Sequence, residues 1–167
     1  ALAGSEGTIT WSTGGSIIKA GTIVVFTDLD SEANPGFGVS IGTITRSGSF
    51  NPSGSKDGII AFIGTDSSTP TTYIAAIQIG NDTAFLGPFD VDGITLTNTN
   101  LVIGTSIIIS DNTASPDGGT YTGSRSDQAS FSAYYTQINT NGNWSTQSTD
   151  GELSLEFSQE AFTTNTT

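Results

Sequence analysis

The side chains of this sequence best suited to chemistry are two groups of closely spaced carboxylates. Asp28, Asp30 and Glu32 alternate directly after an apolar run, and Asp90 and Asp92 alternate further along the chain. Proteins bind Ca²⁺ through several carboxylate and carbonyl oxygens, so both groups are candidate calcium ligands. The full spacing of an EF-hand loop is absent. The alternative is a solvated polar loop or, for the second group, a hairpin turn built on its Asp-Gly pair.

The composition removes most other chemistry. The 167 residues include no His, Cys or Met, so general-base, thiol and most transition-metal chemistry lacks its usual side chains. Paired carboxylates can hydrolyse glycosides, and Glu152 and Glu156 lie four residues apart. Alternating Glu on a strand more often guards a sheet edge against unwanted pairing. We therefore predict that the protein is not an enzyme and has no cofactor, with Ca²⁺ as the one candidate.

The charge balance argues against two classes of partner. Four Lys and Arg residues against sixteen Asp and Glu residues give a formal net charge of −12. Nucleic acids and anionic membrane surfaces are bound through clustered Lys and Arg, and the sequence has no such cluster. No apolar run approaches the roughly 18 residues of a membrane span. We expect neither a nucleic-acid partner nor insertion into a membrane.

Aromatic side chains offer a different kind of binding site. Trp144, Tyr134 and Tyr135 could stack on sugar rings, which would make glycans the partner. The competing interpretation is core packing, because aromatic rings supply much of the buried area of a core. Trp144 lies in a polar stretch, so we expect it to be the most exposed of the three.

Most of the elements that must position these carboxylates and aromatic side chains have the sequence pattern of β-strands. Residues 22–27 form a continuous apolar run, which predicts a strand buried on both faces. Residues 59–63 and 72–79 predict a pair of strands joined by a turn. Further strands are predicted at residues 7–11, 39–44, 101–109 and 152–157. Strands at this spacing, separated by Gly, Pro and Asn clusters, predict an all-β single domain over 1–167, an antiparallel β-sandwich with Greek-key or jelly-roll connections.

One short helix is expected among the strands. Apolar side chains recur at helical spacing within residues 127–138, and Ser126 or Asp127 could cap the first turn. The alternative for this segment is one more strand.

Several segments also resemble a known domain. They are residues 4–11 (GSEGTITW), residues 57–65 followed by 70–77 (DGIIAFIGT and PTTYIAAI), and residues 135–144. They resemble an extracellular β-domain, with a GDxxxAYxGT…PTFIAAI core, that recurs in large secreted and surface proteins of bacteria. The resemblance implies a β-sandwich-like module on the cell surface or in the medium, without known catalytic residues. In that family a strand-forming segment precedes the EGTITW element, and this sequence begins almost directly on that element. Either the sequence is truncated, or the missing edge is supplied otherwise, for example by a strand from a neighbouring subunit.

Together these observations predict a non-catalytic extracellular subunit that assembles into a filament, a surface layer or an adhesive coat. Assembly would use edge-strand pairing and apolar contacts between copies, with the segments 1–11 and 152–167 exchanging strands. Phe162 is expected to dock into a partner. The predicted assembly residues are Thr8, Ile9, Trp11, Leu153, Leu155, Phe157 and Phe162. The alternative function is a Ca²⁺-assisted carbohydrate-binding or adhesion module.

Overall fold

The computed structural model of the chain describes residues 7–50, 57–66, 69–79, 99–102, 107–109, 118–147 and 158–165. Within these ranges one α-helix, α1 (Phe131–Ile138), is followed by a 3₁₀ turn at Asn141–Asn143. The strands are β1 (Thr8–Ser12), β2 (Phe26–Thr27), β3 (Gly38–Val39), β4 (Thr43–Ser47), β5 (Asp57–Gly64), β6 (Pro70–Ile79), β7 (Ile107–Ile109), β8 (Gly118–Tyr121) and β9 (Trp144–Gln147).

The described strands form small sheets. β1 pairs with β4, β2 with β3, and β8 with β9, all antiparallel. A three-stranded sheet has the order β5-β6-β7, in which β5 and β6 are antiparallel and β6 and β7 are parallel. The all-β prediction with one short helix is therefore confirmed in its coarse form. The parallel pairing of β6 with β7 departs from the purely antiparallel pattern that we expected.

The β5–β6 hairpin follows directly from its sequence. Both strands are rich in β-branched and aromatic residues, which fit a pleated sheet surface. In the observed register Ile59 lies opposite Ile77 and Phe62 opposite Tyr73, with the two aromatic ring centroids 6.3 Å apart. Cross-strand pairs of this kind stabilise a sheet. The predicted hairpin is confirmed.

The apolar run at residues 22–27 behaves differently from its prediction. Only Phe26–Thr27 is strand, and Phe26 is exposed, so the expectation of a strand buried on both faces is wrong. The backbone N–H of Val25 donates to Ser40 Oγ at 2.9 Å, and the N–H of Ser40 donates to the Val25 carbonyl at 2.9 Å. A serine side chain thus replaces part of the ladder, and residues 21–25 are half-buried.

An apolar cluster joins β8, β9 and α1 to two segments outside them. Tyr121, Tyr134 and Phe162 are buried there, and Ile23, Ile138 and Trp144 pack against them. α1 begins at Phe131 because Ser130 caps it: the Ser130 hydroxyl accepts a hydrogen bond from the Ala133 N–H. The helix therefore starts after the expected Ser126 or Asp127, and it presents Tyr134 to the cluster.

Candidate functional site

The first group of carboxylates does not converge in the structure. The Asp28 carboxylate lies over the glycine of the following turn. Asp30 Oδ1 accepts a hydrogen bond from Asn34 Nδ2 at 2.8 Å, and Glu32 Oε1 accepts one from the backbone N–H of Arg46 at 2.7 Å. Each carboxylate thus has a different neighbour: Asp30 is paired with a side-chain amide, and Glu32 with a backbone N–H of β4.

Calcium binding consequently stays a prediction. Across the described ranges, no three Asp, Glu, His or Cys side chains are grouped closely enough to hold a metal ion. Asp90 and Asp92, the second predicted group, lie outside the described residues.

The three predicted sugar-stacking aromatics have separate environments. Tyr134 is only 2% exposed, so its ring has no open face for a sugar. Trp144 is half-buried against Tyr121, at a centroid distance of 5.6 Å, instead of exposed as expected. Its indole N–H donates to the Ile138 carbonyl at 2.7 Å. Tyr135 remains exposed, and its hydroxyl donates to a backbone carbonyl of β6. The structure does not bring these three rings into one platform.

The predicted assembly residues of the first strand lie in β1, a strand of a two-stranded ribbon. Thr8, Ile9 and Trp11 are opposite Ser47, Arg46 and Ile44 of β4. The Trp11 ring is 37% exposed and meets the 38%-exposed ring of Phe26 edge to face at a centroid distance of 6.1 Å. The ribbon therefore carries an aromatic pair that is open to solvent. Leu153, Leu155 and Phe157 lie outside the described residues.

Phe162 is buried within its own chain. Its side chain is 8% exposed, with ring centroids 4.9 Å from Tyr134 and 5.6 Å from Tyr121. The phenylalanine that we expected to dock into a partner is thus a core residue of the chain that carries it. Docking in a partner would require the same ring to leave this position or to fill the equivalent position in another copy.

Residues 158–165, here called the anchor segment, have no regular secondary structure and are held by backbone hydrogen bonds. The N–H groups of Phe162, Thr163 and Asn165 donate to the carbonyls of Gly21, Arg125 and Gln128 at 2.9, 2.7 and 2.9 Å. Side chains add to this: Tyr134 Oη donates to the Thr163 carbonyl at 2.9 Å, and Asn165 Nδ2 donates to the Asp127 carbonyl at 2.8 Å.

The surface that receives the anchor segment, here called the acceptor surface, comprises Gly21, Tyr121, Arg125, Gln128 and Tyr134. Gly21 has a φ of +83°, and a Cβ there would stand 2.1 Å from the Phe162 carbonyl oxygen. Glycine is therefore required at position 21 for two reasons: its positive φ and the close approach of the Phe162 carbonyl oxygen.

Arg125 contacts the anchor segment, and no pattern in the sequence indicated this residue. Its guanidinium carbon lies 4.7 Å from the Phe162 ring centroid and 5.5 Å from that of Tyr121. Its Nη1 also donates to the Glu160 carbonyl at 3.0 Å. The only feature of the sequence that sets Arg125 apart is that basic residues are rare, since only four residues are Lys or Arg.

The environment of Tyr121 changes its titration. Burial raises the pKa of its hydroxyl above the ordinary value of 10.0, the negative charge of Asp127 adds to the rise, and Arg125 opposes it. Tyr121 therefore stays protonated, and neutral, to higher pH than an exposed tyrosine.

Comparison with protein-family models, with curated proteins and with solved structures found no match. No helix in the described part of the chain is long and apolar enough to cross a membrane. Any function proposed for the chain therefore rests on its own residues and their geometry.

Proposed function

We propose that this protein is a non-catalytic structural subunit, located on the cell surface or in the medium, that assembles into a filament, a layer or an adhesive coat. Copies join by strand pairing at sheet edges and by contact between apolar side chains. In this proposal the small sheets, all antiparallel except for the β6–β7 pair, stack as a β-sandwich. Calcium has no necessary part in this assembly.

The β1–β4 ribbon carries the proposal. Among the described strands, each of the two pairs only with the other. The β4 edge is partly occupied, because the Arg46 N–H donates to Glu32, so the outer edge of β1 is the one that offers N–H and C=O groups for pairing with another chain. The exposed Trp11–Phe26 pair lies on the same part of the molecule, since Trp11 belongs to β1. A backbone edge beside an exposed aromatic pair supports association both by hydrogen bonds and by burial of apolar area.

Composition bears on the proposal in two ways. The absence of His, Cys and Met fits a scaffold better than a reactive site. The net charge of −12 makes copies repel one another, and such repulsion is screened over about 10 Å at 0.1 M salt. Assembly of this chain should therefore need moderate salt and weaken as salt is removed.

Electron microscopy of the purified protein tests the proposal. We expect negatively stained particles or fibres at moderate salt, and their dissociation to monomers, seen by sedimentation, at low salt. The double variant Trp11→Ala with Phe26→Ala should remain monomeric under both conditions. Ile17→Ala is the matched control, since this isoleucine is 92% exposed and lies outside the strands. A native chain that stays monomeric at high concentration and in all salt conditions overturns the proposal.

A further inference from the structure

We propose that, in the assembled state, the anchor segment of one copy occupies the acceptor surface of a second copy. The proposal rests on the assembly function above and adds to it the donor segment, the receiving site and the partner, which is another molecule of this chain. The contacts made between copies are the same contacts that the structure shows within one chain. This is segment exchange, a low-cost route from monomer to oligomer.

Phe162 is held in the way that an interface anchor is held. One deeply buried aromatic ring lies against two tyrosine rings and beneath an arginine. Strong protein–protein interfaces concentrate their free energy in such sites, in which a buried aromatic anchor is surrounded by Tyr and Arg. The acceptor surface therefore has the composition of an interface site, although it is filled from within the chain.

Apart from a local bond from the Glu160 N–H to Ser158 Oγ, the described hydrogen bonds of the anchor segment run to the acceptor surface and to the adjoining Asp127 carbonyl. The backbone donors of Phe162, Thr163 and Asn165 reach carbonyls that lie far away in sequence. Because the acceptors belong to the acceptor surface and not to the anchor segment, the conformation of the segment is imposed by the surface. A segment from another copy would satisfy the same carbonyls without a new interaction.

The two segments expected to exchange differ in what they would bring to a partner. β1 makes a ladder with β4, but its Trp11 ring stays partly exposed, so β1 brings no buried anchor. The anchor segment brings Phe162, which is 8% exposed, and engages Arg125 through both its ring and the Glu160 carbonyl. The geometry therefore favours the anchor segment over β1 as the exchanging element.

The anchor segment can bind within its own chain or to a second copy, and the balance between these two arrangements depends on concentration. Within one chain, a tethered segment competes at an effective concentration that is typically millimolar for a short flexible link. In a packed filament or layer, neighbouring copies reach comparable local concentrations. Exchange should therefore be small in dilute solution and prominent in assembled material.

Cysteine cross-linking tests the inference directly, because the native chain has no Cys. Gln128→Cys and Asn165→Cys are prepared as two single variants, one of them carrying a mass tag. Asn165 N–H donates to the Gln128 carbonyl at 2.9 Å, so the two sites adjoin. A short bismaleimide is used instead of a disulfide, since a disulfide demands narrow Cβ geometry. Far-ultraviolet circular dichroism checks that each variant is folded.

The two single variants are co-assembled and cross-linked, and the products are separated by denaturing electrophoresis. We expect a 128–165 heterodimer from assembled material and almost none from dilute monomers. A parallel pair, Thr8→Cys and Ser47→Cys, samples the β1–β4 register and should give less interchain product than the first pair. The double variant Gln128→Cys with Asn165→Cys measures the competing intrachain product.

The outcomes separate the two proposals. Particles in the microscope with only intrachain 128–165 cross-links overturn segment exchange and leave the assembly function standing. Interchain product from the Thr8 and Ser47 pair alone also overturns it, and would assign exchange to β1. Monomers under every condition overturn both proposals.

Discussion

The guanidinium carbon of Arg125 lies 4.7 Å from the centroid of the Phe162 ring while Nη1 of the same residue donates to the Glu160 carbonyl at 3.0 Å. One side chain thus holds both the ring and the backbone of the anchor segment. A cation over an aromatic face contributes about 0.5–2 kcal/mol, depending on how far it is desolvated. Arg125 therefore links the anchor segment to the apolar cluster around Tyr121 and Tyr134.

Truncation of Phe162 should be among the most damaging changes to this cluster. Replacing a buried Phe by Ala costs about 3–5 kcal/mol of unfolding free energy, since apolar burial is lost and a cavity remains. We expect a loss in this range for Phe162→Ala and almost none for Ile17→Ala. Urea unfolding, followed by the fluorescence of Trp144 in a Trp11→Phe background, measures it. Equal midpoints for the two variants would contradict the burial of Phe162.

Two glycines with similar backbone angles should respond very differently to alanine. Gly14 has φ +63° and open space around the position that a Cβ would take, whereas at Gly21, with φ +83°, a Cβ would meet the Phe162 carbonyl oxygen at 2.1 Å. Gly14→Ala should cost only the left-handed backbone penalty, about 1–2 kcal/mol. Gly21→Ala carries that penalty together with displacement of the anchor segment. Thermal unfolding should show the larger loss for Gly21→Ala, and a reversed order would be inconsistent with the contact.

Alkaline pH should destabilise the fold through Tyr121. Burial raises the pKa of this hydroxyl above 10.0, so below pH 10 it is protonated in both the folded and the unfolded chain. As the pH rises further, the unfolded chain releases the proton first, and the free energy of unfolding falls until the folded form also titrates. Tyr121→Phe removes this contribution. Unfolding by guanidinium is measured between about pH 8 and pH 11. Above pH 10 the free energy of unfolding should fall less in Tyr121→Phe than in the native chain. A difference between the two that is constant with pH would contradict the raised pKa of Tyr121.

Calcium is tested best on the whole chain, since only one of the two predicted carboxylate groups is described. Asp30 and Glu32 each accept a hydrogen bond from a different partner, so we expect chelator to leave the melting temperature unchanged. Ligand binding to the folded state alone raises that temperature as the ligand concentration grows. A rise with added Ca²⁺ that Asp30→Asn leaves intact would direct attention to Asp90 and Asp92.

Local patterns predicted the elements whose partners are close in sequence. The β5–β6 hairpin and α1 could both be predicted, because alternation and helical spacing are properties of neighbouring residues. The first residue of α1 could not be predicted in this way. Residues 127 and 128 have a helical pattern with the rest, yet their carbonyls accept hydrogen bonds from Asn165, and Ser130 takes the capping position.

The acceptor surface could not be predicted, because its residues are far apart in the sequence. Phe162 lies in a polar stretch, where an isolated aromatic indicates an exposed residue or a docking residue. Its burial depends on Gly21, Tyr121, Arg125 and Tyr134, which are dispersed over the chain and share no spacing. Contacts at such sequence separation leave no periodic trace, and they emerge only once the tertiary arrangement is known.

The contact between Gly21 and Phe162 also sets an order of events during synthesis. The ribosome adds about 5–20 residues per second, so Tyr134, the last residue of the acceptor surface to be made, precedes its own Phe162 by a few seconds. During that interval the acceptor surface lacks the ring that fills it within the folded chain. In the proposed exchange, each chain therefore has a complete acceptor surface before it has a donor segment of its own.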